Sequence, residues 1–179
     1  MGSRPSRLHV VMVGLDGAGK TTMLYHLRLR EPEKKFSATN GYNHEIVQRI
    51  YDRKRFDFHM WDLSGKPELR RVWKYYYRGT IPDVVFFVVD ANDRKRLAEA
   101  RSELMTVFRE PELVGVIKVV VLNVKADDET KTSAKEVSTL LGVDEIKGSK
   151  IKVFETNAYT GEGFDKLLNY VCMTTLHSR

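Results

Sequence analysis

The stretch that most constrains this chain runs from Leu8 to Thr22, where the apolar, β-branched run LHVVMV leads directly into GLDGAGKTT. Helical spacing resumes at once after it. The segment satisfies G-x-x-x-x-G-K-[ST] at every fixed position, and a strand before and a helix after are the context in which that pattern has physical meaning. Glycines let successive backbone N–H groups turn inward around an anion, and the helix N-terminus adds a favourable field. Lys20 supplies a point charge for outer phosphates, and Thr21 offers a hydroxyl to a hard cation such as Mg²⁺. The competing reading is a glycine-rich turn that binds nothing. A complete pattern in the right context favours a phosphate-binding loop over residues 14–22, with Asp16, Gly17, Ala18, Gly19, Lys20, Thr21 and Thr22 at the nucleotide.

Three further apolar runs read as strands: Val84–Asp90, Lys118–Asn123 and Ile151–Thr156. Their near-continuous apolar character fits strands buried on both faces of a parallel sheet. Helical patterns lie between them. Leu97, Ala100, Leu104, Val107 and Phe108 share one face of a helix expected over 94–108, with Asn92 or Asp93 as its cap. SAKEVSTLLG opens on the capping box Ser133–Glu136 and stops at Gly142, and Phe164, Leu167, Leu168 and Val171 mark a last helix. Alternating strands and helices define an α/β fold. One stretch departs from this. Residues 46–50 and 56–60 alternate in character around the polar DRKR (Asp52–Arg55), which predicts a β-hairpin with one strand at the sheet edge. No linker marks a second domain, so one domain is expected over 8–177, with 1–7 an N-terminal extension and 178–179 a tail.

Three loops follow these elements. Thr39 lies in a polar loop after the first helix, where it could complete magnesium coordination or be an ordinary loop residue. Asp62 ends the second hairpin strand in the D-x-x-G of WDLSG. It can hold Mg²⁺ through water while the Gly65 N–H meets a γ-phosphate. NVKAD (Asn123–Asp127) leaves a parallel strand at its C-terminal end, where α/β sheets place ligands. Asp127 could accept the ring N–H and exocyclic amine of guanine, with the Lys125 stem laid across the base. The lone Cys172 excludes an internal disulfide framework and fits a reducing, cytoplasmic setting. No apolar run reaches the roughly 20 residues a membrane span needs. The net charge of +6 is compatible with anionic lipid, with nucleic acid, or with evenly spread surface lysines. The basic clusters at 53–55 and 94–96 come with no recognition motif, so no nucleic-acid partner is expected. MGSRPS fits a myristoylation pattern on Gly2, although MGS is also a common artificial leader.

GLDGAGKTT, WDLSGKPELRRVWKYY and VVDANDRKR together resemble the Arf-like (ADP-ribosylation-factor-like) branch of the small GTPases, over nearly the whole chain from Val10 to about Val171. The resemblance implies a P-loop, Ras-like G domain: a six-stranded, mostly parallel sheet with one antiparallel hairpin strand and helices on both faces. It implies GTP/GDP with Mg²⁺, metal contacts through Thr21, Thr39 and Asp62, and catalytic positions at Thr39, Gly65 and Lys66. It further implies effector binding through Tyr42, Trp61 and Tyr76, and a backbone donor to the base at Ala158. An exchange factor and a GTPase-activating protein are the implied partners of a monomer that associates peripherally with an intracellular membrane in vesicle-mediated transport.

Four departures qualify that expectation. Lys66 stands where the family has its catalytic glutamine. Val124 stands where N-K-x-D has its base-reading asparagine. The hairpin is a few residues longer than usual, and the segment before Leu8 is too short for an amphipathic helix. A glutamine amide donates and accepts, whereas an ammonium has no acceptor for the attacking water. Intrinsic hydrolysis is therefore expected to be very slow. Val124 has neither donor nor acceptor, so the base contact and its tether to the phosphate loop are expected to be lost, at about 1–3 kcal/mol. Asn123, on the opposite strand face, is no automatic substitute. Two other functions stay open: a non-cycling pseudo-GTPase acting as an interaction module, and a P-loop ATPase or kinase.

Overall fold

The computed structural model describes residues 4–30, 39–124, 133–146 and 151–178. Gly2, Lys125 and Asp127 lie outside the described residues.

Six strands form one sheet in the order β2-β3-β1-β4-β5-β6. They are β1 (Ser6–Val13), β2 (Tyr42–Tyr51), β3 (Lys54–Leu63), β4 (Val84–Asp90), β5 (Ile117–Asn123) and β6 (Ile151–Thr156). Every pairing is parallel except β2 with β3. The helices are α1 (Lys20–Leu29), α2 (Pro67–Arg70), α3 (Trp73–Gly79), α4 (Leu97–Phe108), α5 (Ala134–Leu140) and α6 (Phe164–His177). Strand alternation divides the core in two. Val10, Met12, Phe86, Val88, Val119 and Val121 face one side with α1 and α6. Val11, Val13, Phe87, Val89, Val120 and Leu122 face the other with α4, α5, Trp73 and Tyr77. Covering both faces explains why the central strands are apolar throughout. Among the described residues no helix is long and apolar enough to cross a membrane.

Several boundaries differ from the sequence reading. Ser6 and Arg7, expected in an extension, belong to β1 and pair with Phe56 and Asp57 of β3. The hairpin arms are ten residues each, and the turn is only Asp52–Arg53, both left-handed at φ 47° and 59°. A turn with two positive φ values matches the twist of a hairpin, so Lys54 and Arg55 are drawn into β3. The expected helix from Arg94 begins as a 3-10 turn over Arg94–Arg96 before α4. Asp93 does not cap it, because its carboxylate takes Arg96 Nε at 2.6 Å. Ser133 does cap α5, accepting from the Glu136 N–H at 3.1 Å.

The sheet also fixes where ligands go. Strand order runs outward in both directions from β1, so the C-terminal ends of β1 and β4 flank a topological switch point. The loop 14–19 sits there.

Candidate functional site

Gly19 shows how tightly the loop is set. It adopts φ 95° directly before α1, and a Cβ there would lie 2.3 Å from Asn123 Nδ2. Lys20, the first residue of α1, turns back into the loop. Its Nζ donates to Gly14 O and Leu15 O, each at 2.9 Å, and the side chain is buried. Burial pushes its pKa down to about 8, against the opposing pull of Asp62 and Asp16. An ammonium held here by carbonyls alone is a desolvated charge that an anion would satisfy. Thr22 lies half-buried in the same helical turn, while Gly17 is exposed and Ala18 buried in the loop.

Thr21, Thr39 and Asp62 come from three separate segments and meet. Thr21 Oγ1 lies 2.9 Å from Thr39 Oγ1 and donates to Asp62 Oδ2 at 2.5 Å. Asn43, directly opposite Asp62 in the hairpin register, donates to the same Oδ2 at 3.0 Å. Asp62 is wholly buried, and its other oxygen, Oδ1, has no hydrogen-bond partner. Two hydroxyls and a carboxylate with one unpartnered oxygen are a hard-donor set that fits Mg²⁺, held partly through water.

Asp16 does something else. Its carboxylate accepts from Arg96 Nη1 at 3.0 Å and lies 3.4 Å from Arg70 Nη2, while its N–H donates to Gly65 O at 3.2 Å. Arg70 Nε also donates to Gly65 O at 2.7 Å, and its Nη1 pairs with Glu99 at 2.6 Å and Glu103 at 3.3 Å. A buried guanidinium thus joins the D-x-x-G segment to the phosphate loop and to α4. Trp73 Nε1 donates to Ser64 O at 2.9 Å and fixes the same segment from below. Lys66 points the other way, donating from Nζ to Asn40 Oδ1 at 2.5 Å beside Thr39.

The base side brings a correction. Asn123 sits in regular β5 with no bulge, and alternation places it with Val119 and Val121 on the α1 face. Its Nδ2 donates to Ala18 O at 3.1 Å and its Oδ1 accepts from Ala158 N at 3.0 Å. The tether thought lost with Val124 is therefore present, one residue earlier. Val124 instead packs against the apolar cluster on the other face. Strand alternation correctly turns Asn123 away from Val124, and what that reading misses is that the Ala18 carbonyl and the Ala158 N–H lie on Asn123's own face. The Ala158 N–H, expected to face the base, is engaged by Asn123.

Tyr42, Trp61 and Tyr76 do cluster, with ring centroids 5.3, 5.7 and 6.4 Å apart, and His44 lies tilted against Trp61 at 4.3 Å. Tyr42, Trp61 and Tyr76 line a surface cleft of about 320 Å³ with His9 and Pro82. Asn40, Asn43, Arg70, Arg96, His44 and Asn123 are the residues the motif reading missed. The cross-strand register exposes Asn43 and His44, but contacts as distant as Arg96 to Asp16 leave no local signal.

Residues 1–175 match the model of the ADP-ribosylation factor family. The chain belongs to that family. It is 39% identical over 179 residues to ADP-ribosylation factor-like protein 1 of Drosophila melanogaster, covering 100% of this chain and 93% of that protein. The Caenorhabditis elegans ADP-ribosylation factor-like protein 1 is 38% identical over 164 residues, 92% of this chain and 87% of that one. Among solved structures, the Arl6 BBS3 small GTPase from Trypanosoma brucei with bound GppNp superposes with a TM-score of 0.82 at 28% identity, over 97% of this chain and 100% of that chain. The chain is accordingly a GTP-binding small GTPase of the Arf/Arl type, with the Ras-like sheet described above.

Proposed function

We propose that this Arf/Arl protein is a guanine-nucleotide switch that closes readily around GTP and Mg²⁺ but hydrolyses GTP very slowly on its own. The observation that carries the reading is the meeting of Thr21, Thr39 and buried Asp62, with Asp62 Oδ1 unpartnered, beside a Lys66 turned toward Asn40. Mg²⁺ held by the first three residues would neutralise phosphate charge there. Lys20 faces the outer phosphates, and Gly65 offers its N–H to the γ-phosphate. Guanine preference rests on Asp127 and Lys125. Effectors dock on Tyr42, Trp61 and Tyr76, whose positions follow the segments on either side of the nucleotide. Cycling then depends on an exchange factor and a GTPase-activating protein, for a monomer acting at an intracellular membrane in vesicle traffic.

Lys66 separates sensing from hydrolysis. Its ammonium has three donors and no acceptor, so it cannot orient an attacking water as a glutamine amide does. Bonded to Asn40, it bridges the two segments that enclose the γ-phosphate and favours the closed state. In a single-turnover assay Lys66→Gln should hydrolyse GTP at least tenfold faster, about 1.4 kcal/mol off the barrier. An unchanged or slower rate would sink the idea. Chromatography of nucleotide released from purified protein gives a second check. Mostly GTP is the expected result, GDP would mark an efficient hydrolase, and no nucleotide would mark a pseudo-GTPase.

A further inference from the structure

The elongated hairpin ends far from the nucleotide, and its tip has no part in the site. β1 runs from Ser6 to the phosphate loop, and its register with β3 (Ser6 with Phe56, Arg7 with Asp57) puts the start of the chain beside the hairpin turn. Ten-residue arms carry that turn roughly 30 Å from the Tyr42 end of β2. The tip gathers Arg53, Lys54 and Arg55, all exposed, and Arg4 and Arg7 are exposed on the neighbouring strand and its lead-in. Among the described residues of the tip, two carboxylates accompany these five cations. Asp52 is exposed in the turn, and Asp57 is buried and chelated by Arg55 through Nε at 3.0 Å and Nη2 at 3.1 Å. Among the described residues no ion pair engages Arg4, Arg7, Arg53 or Lys54, which are left to act outward.

Two details mark this end as more than a solvated turn. Arg53 holds φ 59°. Hairpin turns of this kind strongly favour glycine there, so the chain keeps a cation at a position where its own backbone is strained. Ile50, paired with Arg55 across the hairpin, is 76% exposed. A large apolar side chain set among cations suits the boundary between headgroups and acyl chains.

We propose that the β2–β3 tip is a contact site for an anionic membrane. Arg53, Lys54, Arg4 and Arg7 hold anionic headgroups of the phosphatidylserine type, and Ile50 enters the interface. One acyl chain alone anchors a protein only marginally, and a basic patch is the usual second signal. A contact here leaves the nucleotide site and the Tyr42–Trp61–Tyr76 cluster facing away from the bilayer.

The test is flotation of the full-length, unacylated protein, loaded with GDP, on phosphatidylcholine vesicles with and without about 30% phosphatidylserine. Binding is expected only with the anionic lipid and should fall steeply between roughly 0.05 and 0.3 M salt. Arg53→Gly should lower partition about fivefold while leaving thermal stability equal or higher, because glycine relaxes the turn. That split separates a lipid contact from a structural role. Ile50→Ser should weaken binding without changing its salt dependence. Wild-type binding by Arg53→Gly, equal binding to neutral vesicles, or capture of a short RNA or DNA duplex with no vesicle binding would each overturn the proposal. None of these outcomes bears on hydrolysis, which the single-turnover assay reads separately.

Discussion

Asn123→Ala should release bound nucleotide at least a hundredfold faster than the wild-type chain and melt it markedly lower. The side chain is buried and makes two hydrogen bonds, to Ala18 O and from Ala158 N, which tie the end of β5 to two loops far apart in sequence. Alanine removes both bonds and strands a buried carbonyl and a buried N–H, each at about 1–3 kcal/mol. Together these losses come to about 3–5 kcal/mol, against a total stability of roughly 5–15 kcal/mol. For a chain of this size that is on the order of 10 °C in melting temperature. Nucleotide off-rates and a thermal melt check it. An off-rate within twofold of wild type, with an unmoved melt, would show that the tether is idle. The companion substitution Val124→Asn, which restores the family's motif letter for letter, should not help. It puts an amide where Val124 packs against the apolar cluster, so binding should stay the same and stability should drop by about 1 kcal/mol or more.

Gly65→Ala is the second large effect, and it should act on GTP while sparing GDP. A Cβ on Gly65 would lie 2.3 Å from Asp16 N, 2.3 Å from Gly14 O and 2.4 Å from Leu15 C. All three are backbone atoms of the phosphate loop, so no side-chain rotation relieves the clash. The segment has to lift away, breaking the Asp16 N–H bond to Gly65 O and straining the Arg70 bond to the same oxygen. GTP affinity relative to GDP should fall by on the order of a hundredfold, about 2.7 kcal/mol. Comparing dissociation rates of the two nucleotides reads this directly. A wild-type GTP-to-GDP ratio in the variant would mean that Gly65 does not sense the third phosphate.

Much of this was legible in the sequence because the information was local. The bounds of β4 and β6 followed from near-continuous apolar runs, and the apolar stripe of α6 from helical periodicity. Thr21 and Asp62 followed from motif chemistry. The hairpin arms ran longer than read because an edge strand with mostly exposed residues has little apolar alternation to extend the pattern. Asn123 was rightly read as facing away from Val124, but nothing local says that the Ala18 carbonyl and the Ala158 N–H wait on that face. Arg70 and Arg96 could not have been placed at all. Their meeting with Asp16 spans 54 and 80 residues, and nothing in GKPELRR or NDRKR says which carboxylate each will face.

Asn123 also sets a timetable. The Ala18 carbonyl waits for a partner 105 residues later, and that partner waits for an N–H a further 35 residues on. At roughly 5–20 residues per second, a ribosome needs on the order of ten seconds to supply the second half of this tie. Until β6 has joined the sheet, Asn123 can reach the Ala18 carbonyl but lacks the Ala158 N–H that completes the tie. A chain cut short before Ala158 is therefore expected to retain nucleotide less well than the full chain, which the nucleotide content of the purified truncation would read.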